Sequence, residues 1–361
     1  MRVKLGDVCE RGTSNLKLSD VSEKNGEFSV FGASGYIGSV DFYQQGYPYV
    51  AVVKDGAGIG RAMLCPGKTS VIGTMQYLLP KDNILPKYLF YVVKYMNLEK
   101  YFTGATIPHI YFKDYKNEEF NFDFWERQIV SVLSKCEKVI DLCKQELQLL
   151  DKLIKARFVE MFGDVIHNSK KWQVCLFAEI TSSRLGKMLD AKQQTGRNSY
   201  PYLANFNVQW FRFNLENLNK MDFDEKDRAE FELREGDLLV CEGGEIGRCA
   251  VWHNELQPCF FQKALHRVRC NHQIILPDYL AWWFRYNCDY GGFSALAGAK
   301  ATIAHLPGAK LKQLQVAVPP MELQEQFAVF VAQTDKSKVA VQKALDEAQL
   351  LFDSLMQEYF G

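Results

Sequence analysis

ERQIVSVLSKCEKVIDLCKQELQLLDKLIKARFVEMFG, residues 126–163, is the stretch that decides the fold, and QEQFAVFVAQTDKSKVAVQKALDEAQLLFDSLMQEYFG, residues 324–361, is its second copy. The two align without an insertion at an offset of 198 residues (126 against 324). Apolar residues recur every three or four positions, which is typical of an amphipathic helix. Neither copy contains Pro, and Gly stands only at the last position of each. The pattern predicts two long helices.

A helix of about 35 residues is roughly 50 Å long, which exceeds the width of a small domain. One domain is too small to bury the whole apolar stripe, so we expect the two helices to pack antiparallel as a coiled coil. The alternative is that partner subunits bury the stripes. The residues expected in the helix contact are Ile129, Val132, Val139, Leu147, Leu150 and Ile154 in the first helix, and Phe327, Phe330, Val341, Leu345, Phe352 and Leu355 in the second.

The duplication continues upstream, but there its offset changes. Residues 3–5 (VKL) match 174–176 (VCL) at an offset of 171, and residues 85–89 (LPKYL) match 276–280 (LPDYL) at 191. Self-similarity over such a distance indicates two related structural units. Each copy therefore has a variable first part and a second part of fixed length.

The variable parts combine strand and helix signals. Residues 47–64 and 237–252 each place an apolar run on both sides of a glycine-rich stretch, which predicts two hairpins. Pro86 and Pro277 precede apolar residues at helical spacing, and proline is favoured in the first turn of a helix, so both should begin short helices.

The amino-acid composition limits which classes of protein the chain can belong to. The chain has 361 residues, of which 47% are hydrophobic, enough for two domains with their own cores. Its ten cysteines form no CxxC pair and no Cys/His group at metal-ligand spacing, so we interpret them as reduced thiols of a cytoplasmic protein without a metal. No uncharged apolar run is long enough to predict a membrane span. Since the formal net charge is zero, DNA binding would need local basic patches or partners.

Glycine motifs and histidines could suggest an enzyme, but their context favours structural roles. Residues 62–69 (AMLCPGKT) resemble a phosphate-binding P-loop, yet a strand-like sequence follows where a P-loop needs a helix. Residues 56–60 (GAGIG) lack the third glycine of a dinucleotide fingerprint and have a counterpart at Gly243-Gly244, which favours hairpin turns. His109 and His305 occupy matching positions, as junction residues would.

Basic and amide side chains mixed with aromatic ones are suited to contact bases and phosphates, although solvated loops have a similar composition. This mixture is densest in the second variable part. The candidate DNA contacts are Lys54, Arg61 and Gln76 in the first variable part, and Arg184, Lys187, Arg197, Gln209, Gln262, Lys263, His266 and Arg267 in the second.

The chain as a whole resembles the specificity (target-recognition) subunits of Type I restriction-modification systems. The motifs that carry the resemblance are GATIPH at 104–109, ERQI at 126–129, DLLVCEGGEIGR at 237–248, QKALHRV at 262–268, ATIAHL at 301–306 and VPPMELQEQ at 318–326. One departure is FNFDF at 120–124, which stands where the second copy has Pro319-Pro320.

The resemblance implies an α+β fold with two globular mixed α/β target-recognition domains in pseudo-twofold arrangement, joined by two long antiparallel coiled-coil helices. The first recognition domain would span residues 1–122 and the central helical spacer residues 123–163. The second recognition domain would span residues 164–320, and the distal helix, residues 321–361, would pair with the central one.

The resemblance also implies a non-catalytic subunit that recognises a bipartite target in double-stranded DNA, one half-site per recognition domain. Its expected partners are two methyltransferase subunits and two restriction subunits with translocase and nuclease activity, and no membrane. No cofactor is expected on this chain, because S-adenosylmethionine and ATP would be bound by the partner subunits. Two alternatives remain open: a coiled-coil scaffold that binds only proteins, and a P-loop enzyme that depends on a nucleotide.

Overall fold

The computed structural model of the chain describes residues 1–21, 26–104, 108–190, 194–294 and 305–361. These residues divide into two units. Unit 1 comprises Met1–Leu147 with Ala340–Gly361, and unit 2 comprises Gln148–Val339. The division crosses both long helices, so each unit contains one part of each helix.

Unit 1 begins with short strands and helices that lead into the first long helix. Its described elements are β1 (Arg2–Lys4), α1 (Leu5–Val8), β2 (Cys9–Thr13), a 3-10 turn (Leu18–Asp20), β3 (Phe28–Gly32), β4 (Gly35–Val40), β5 (Tyr49–Val53), β6 (Ala62–Cys65), β7 (Ser70–Val71), β8 (Met75–Pro80), α2 (Pro86–Met96), a 3-10 turn (Leu98–Tyr101), α3 (Phe112–Tyr115), β9 (Glu119–Asn121) and α4 (Glu126–Phe162), which continues into unit 2.

Unit 2 repeats this plan with longer connections. Its described elements are β10 (Gln173–Leu176), α5 (Phe177–Ile180), β11 (Thr181–Leu185), β12 (Ser199–Leu203), a 3-10 turn (Asn205–Asn207), β13 (Val208–Gln209), β14 (Arg212–Phe213), β15 (Asn219–Asp222), α6 (Glu225–Phe231), β16 (Leu238–Cys241), β17 (Cys249–Val251), β18 (Phe260–Phe261), β19 (Leu265–Cys270), α7 (Pro277–Asp289), α8 (Gly308–Lys312), β20 (Gln315–Val318) and α9 (Met321–Phe360), which continues into unit 1.

The main and second sheets of the two units have the same topology, and unit 2 adds a two-stranded sheet of β13 and β14. The main sheet has the strand order β2-β8-β5-β6 in unit 1 and β11-β19-β16-β17 in unit 2, and every neighbouring pair in both is antiparallel. A second sheet contains one parallel pair in each unit, β3 with β7 and β12 with β18. The ends of each variable part also pair, β1 with β9 and β10 with β20. The repeat in the sequence is therefore a repeat of the fold.

Both predicted hairpins are confirmed. Strands β5 and β6 pair from Tyr49 opposite Cys65, and β16 pairs with β17 from Leu238 opposite Val251. The last glycine of each turn has a positive φ, 79° at Gly60 and 78° at Gly247. A Cβ at Gly247 would lie 2.9 Å from the ring of Phe293, so neither the backbone conformation nor the packing leaves room for a side chain there.

The long helices α4 and α9 pack antiparallel, as predicted. In unit 2 the rings of Phe158 and Phe162 lie 5.5 and 5.4 Å from that of Phe327. In unit 1 Ile140 from α4 and Phe352 from α9 belong to the same apolar cluster. Early residues of one helix thus meet late residues of the other. Among the described helices, α4 and α9 included, none combines the length and the apolar content needed to cross a membrane.

The predicted helix contact was wrong at two positions. Val132 and Val139 are exposed, Val139 at 47%, whereas Leu133 and Ile140 are buried. Adjacent helical residues point about 100° apart, so only one of each pair can face the partner helix, and the larger apolar side chain is buried. Of the other predicted contacts, Ile129, Ile154, Phe327 and Phe352 are buried, and Leu147, Leu150, Phe330, Val341, Leu345 and Leu355 are half-buried.

The short helices α2 and α7 begin at Pro86 and Pro277, as predicted. In each unit the start of the short helix is bonded to the start of a long one. The Leu85 amide donates to Glu126 Oε2 at 2.9 Å, and the Leu276 amide donates to Gln324 Oε1 at 2.9 Å. Burial raises the pKa of Glu126. Equivalent bonds therefore position the long helix in both units, although one copy has a carboxylate and the other an amide.

The position of the apolar stripe predicts unequal effects of neighbouring substitutions in α4. We expect Ile140→Ala to lower the free energy of unfolding of the chain by about 2 to 4 kcal/mol, because it leaves a cavity between the long helices. Val139→Ala is the matched control and should stay within about 0.5 kcal/mol of the wild type. Chemical denaturation followed by circular dichroism measures both, and equal losses would contradict the assignment of the stripe.

Candidate nucleic-acid interface

Unit 2 has an open groove of about 770 Å³ that gathers basic side chains, and we call it the basic groove. Its wall comes from the end of β11 and the turn after it, from α6, from the turn before β19 and from α8. Its lining residues are Ser183, Arg184, Leu185, Gly186, Lys187, Met188, Asp227, Glu230, Phe231, Lys263, His266, Gly308, Ala309 and Lys312. Four of the candidate DNA contacts predicted from the sequence are among them.

Arg184, which lines this groove, has a second arginine beside it on the neighbouring strand. The antiparallel pairing of β11 with β19 places Arg184 opposite Arg267. Like charges in that position repel, and α6 offsets the repulsion. The Glu230 side chain forms an ion pair with Arg184, and the Glu230 carbonyl accepts a hydrogen bond from Arg267 Nη1 at 2.7 Å. Burial lowers the pKa of Arg267 to about 10, which still leaves the guanidinium charged at neutral pH.

Lys187 is held inside the groove rather than presented to a ligand. Its Nζ donates to the Asp222 carbonyl at 2.6 Å, forms an ion pair with Asp227 and lies 5.0 Å from the ring centre of Phe223. This side chain therefore ties the β11 turn to α6. As a direct DNA contact, Lys187 stays a prediction, and its ammonium group would have to exchange Asp227 for a phosphate.

The basic side chains left at the mouth of the groove are Lys263 and Lys312. Both are exposed, and neither forms an ion pair with any residue that the structure describes. The Lys263 Nζ lies 3.9 Å from the sulfur of Met188, which is itself exposed. Two uncompensated ammonium groups beside an apolar side chain form a surface suited to a phosphate backbone and a base edge.

Gln76 and His266 are not DNA contacts, because both are buried. Gln76 donates from Nε2 to the hydroxyl of Tyr115 within unit 1. His266 is 1% exposed, and its Nε2 lies 3.0 Å from the Leu306 carbonyl. Burial lowers the pKa of His266, so the imidazole is neutral near pH 7 and its Nε2–H donates to that carbonyl. Each side chain therefore makes a hydrogen bond in the interior of its own unit.

The remaining candidates stay predictions as DNA contacts. Lys54 lies with its Nζ 3.8 Å from Asp55, and Arg61 donates from Nη1 to the Ala33 carbonyl at 3.2 Å. Gln209 donates to the Phe206 carbonyl at 3.0 Å. Two further candidates have different exposures: Arg197 is exposed, and Gln262 is half-buried.

Sequence reasoning missed the acidic half of the groove. Asp227 and Glu230 pair with Lys187 and Arg184, and they lie on a helix that begins with reciprocal bonds between Asp224 and Asp227. The Asp-x-x-Asp spacing is a capping signal that could have predicted α6. It could not have shown which strand the helix packs against.

The glycine and histidine motifs have the structural roles expected of them. The P-loop-like segment is a turn, because β6 ends at Cys65 and strand β7 begins at Ser70, where a P-loop has a helix. The Nδ1 atom of His109 contacts the Asp55 carboxylate, and His305 pairs with Gly243 through the backbone. Parts of the two junction motifs, residues 105–107 and 301–304, lie outside the described residues. Within the described ranges, no three His, Cys, Asp or Glu side chains form a metal-binding group.

His266 predicts a pH dependence of stability. Its folded pKa lies below the usual value near 6.5, so the unfolded chain takes up a proton first and stability falls as the pH drops below that value. We expect the melting temperature to fall further between about pH 7.5 and about pH 5.5 in the wild type than in His266→Gln, which cannot titrate. The exposed His272→Gln serves as control. Identical pH profiles for wild type and His266→Gln would contradict this role.

Comparison with known proteins identifies the family. The family model described as Type I restriction modification DNA specificity domain matches residues 1–152 and again residues 169–348. A protein of Methanocaldococcus jannaschii assigned as type I restriction enzyme MjaX specificity subunit is 23% identical over 176 residues. That alignment covers 48% of this chain and 41% of the relative, so it spans less than half of either protein.

Solved structures share the fold. The type I restriction-modification S subunit from M. genitalium matches 100% of this chain and 96% of its own with a TM-score of 0.65 and 15% identity. A chain from a structure on the assembly and conformational transition of the type I R-M system matches 99% of this chain and 97% of its own with a TM-score of 0.54 and 14% identity. The chain therefore belongs to the family of Type I restriction modification DNA specificity domains, and it carries two stretches that match that domain.

Proposed function

We propose that this chain is the sequence-specificity subunit of a type I restriction-modification system and reads a bipartite target in double-stranded DNA, one half-site per unit. The observation that carries the proposal is that two units with the same sheet order present different side chains on their surfaces. One scaffold with two different surfaces suits two different base sequences. The family model, which matches twice, supports the same conclusion.

In unit 2 the basic groove would bind DNA through Lys263 and Lys312. Their ammonium groups would contact phosphates, and the exposed Met188 beside Lys263 would face the bases. Arg184, which remains largely exposed beside Glu230, would exchange its carboxylate partner for a phosphate. The acids Asp227 and Glu230 limit the net charge of the groove, so that affinity would depend on shape and sequence as well as on charge.

The chemistry of the system would belong to partner subunits. Both acids of the groove, Asp227 and Glu230, already pair with Lys187 and Arg184. We propose two methyltransferase subunits, which would hold S-adenosylmethionine, and two restriction subunits, which would hold ATP. The chain itself would bind no cofactor and would act with these partners in the cytoplasm. Base methylation requires the target base to leave the stack, so the partners would share the cost of distorting DNA.

A map of methylated bases tests the proposal. We expect DNA from cells that carry this chain and its methyltransferase partner to be methylated at one bipartite sequence. Replacement of residues 164–320 by the corresponding part of a family member with another target should change one half of that sequence and leave the other half unchanged. Co-purification with the methyltransferase verifies that the chimera has assembled. A map that the exchange leaves unchanged would favour the protein-binding scaffold instead.

The two exposed lysines of the groove predict an effect on affinity rather than on sequence. Lys263→Ala and Lys312→Ala should each weaken binding of the assembled complex to all duplexes alike and lower the slope of log affinity against log salt by about 1, as expected for one lost phosphate contact. Lys226→Ala, an exposed lysine of α6 outside the groove lining, is the matched control. Fluorescence anisotropy at several salt concentrations measures the slope, and an unchanged slope in both variants would exclude the groove as a phosphate site.

A further inference from the structure

The loop between β4 and β5 in unit 1 exposes three aromatic side chains to solvent. It comprises residues 41–48, DFYQQGYP, and we call it the aromatic loop. Phe42 is 48% exposed and Tyr47 is 86% exposed. Tyr47 makes no hydrogen bond or ring contact with any described residue, and Tyr43, also exposed, touches only the edge of the Phe28 ring, at 5.0 Å. Exposed apolar side chains mark an interaction site when they form a contiguous patch, so a short segment with three exposed rings is a candidate binding surface.

The middle of the aromatic loop is fixed to the core of unit 1. Gln45 and Thr69 exchange two backbone hydrogen bonds, at 3.1 and 3.2 Å. The Gln44 amide donates to Ser70 Oγ at 3.0 Å, and its side-chain carbonyl accepts from the hydroxyl of the buried Tyr77. Thr69 and Ser70 are buried. The two glutamines thus hold the backbone while the aromatic residues on either side point outward, so little further ordering would be needed on binding.

A cation for contact with DNA would have to come from a segment beside the aromatic loop. Asp41 is the acid of the segment, which has no basic residue of its own. Gly67 packs against the backbone of the aromatic loop, so closely that a Cβ at Gly67 would lie 3.1 Å from the Tyr47 Cα. The next residue, Lys68, is exposed with a φ of 57° and makes no ion pair within the described part of the chain. Lys68 thus belongs to the segment that packs on the backbone of Tyr47, and on DNA a ring can contact a sugar or base while an ammonium group contacts a phosphate.

The candidates that the sequence predicted in unit 1 do not form a groove equivalent to that of unit 2. Gln76 is buried, Lys54 lies beside Asp55, and Arg61 is bonded to a backbone carbonyl. On the proposed function, unit 1 must nevertheless read one half-site. Tyrosine and other large aromatic side chains supply much of the binding energy where they anchor an interface.

We propose that the aromatic loop is the DNA-contacting element of unit 1, in which Phe42 and Tyr47 pack against bases or sugars of one half-site and Lys68 contacts the neighbouring phosphate. This inference rests on the proposed function and adds the surface that reads the half-site. It assigns unit 1 a contact made mainly by rings, in contrast to the lysines of the basic groove in unit 2.

The test uses the complete chain assembled with its methyltransferase subunit and compares Phe42→Ser, Tyr47→Ala and Tyr47→Phe. Anisotropy is measured on the mapped target and on duplexes with either half-site randomised. We expect Phe42→Ser and Tyr47→Ala to bind the intact target about ten-fold more weakly. Both should lose the preference for one half-site and keep the preference for the other. Tyr47→Phe retains the ring and should bind as the wild type does.

The matched control is Phe102→Ala, which removes a ring that is 58% exposed elsewhere in unit 1 and should leave binding unchanged. The proposal is overturned if Phe42→Ser and Tyr47→Ala both keep the wild-type preference for each half-site. It is also overturned if they lose the methyltransferase subunit in size-exclusion chromatography, since the loop would then be a protein contact. If the wild-type complex shows no preference for any duplex, the proposed function itself fails. Melting temperatures equal to that of the wild type verify that the variants fold.

Discussion

The apolar stripe along α4 and α9 is the constraint on which the structure depends. Each helix is too long for one small core, and the chain buries different parts of it in different units. Phe158 and Phe327 complete the core of unit 2, and Ile140 and Phe352 complete that of unit 1. Because both helices contribute to both cores, neither unit can bury its apolar residues fully unless α4 and α9 pair. The helix pair is therefore part of each domain as well as a connection between domains.

Polar groups interrupt this stripe within unit 2. Thr334 is buried and donates to the Phe330 carbonyl at 2.9 Å, and Lys338 donates to Asp151 on the other helix at 2.8 Å. Burial lowers the pKa of Lys338, but hydrogen bonds to Asp151 and Asp335 raise it more, so the ammonium form is favoured. A polar contact within a coiled coil costs stability and specifies register, since sliding one helix would leave the charges unpaired. Apolar residues alone would tolerate such sliding better.

Local sequence patterns predicted the long helices, both hairpins and the proline starts of α2 and α7, because spacing and turn residues determine these features over short distances. These patterns gave wrong predictions where the burial of a residue depends on a partner that is distant in the sequence. Val132 and Leu133 are adjacent and both apolar, so periodicity alone did not show which one faces α9. Gln76 and His266 look like polar surface residues, but Tyr115 and the Leu306 carbonyl bind them in the interior. The pairing of Glu230 with Arg184 likewise depends on how α6 packs.

Much of the difference in length between the two copies falls in a stretch that holds part of each proposed DNA contact. The offset between them grows from 171 at residues 3–5 to 187 at residues 56–61, a stretch that holds the aromatic loop in unit 1 and the β11 turn with α6 in unit 2. At the long helices the offset is constant, and there Glu126 and Gln324 make equivalent bonds to Leu85 and Leu276. The residues that bind each long helix to its unit must make the same contacts in both units. An insertion within the helix would disrupt those contacts. Loops that only face solvent are free of that requirement, so two different reading surfaces can be built on one repeated frame.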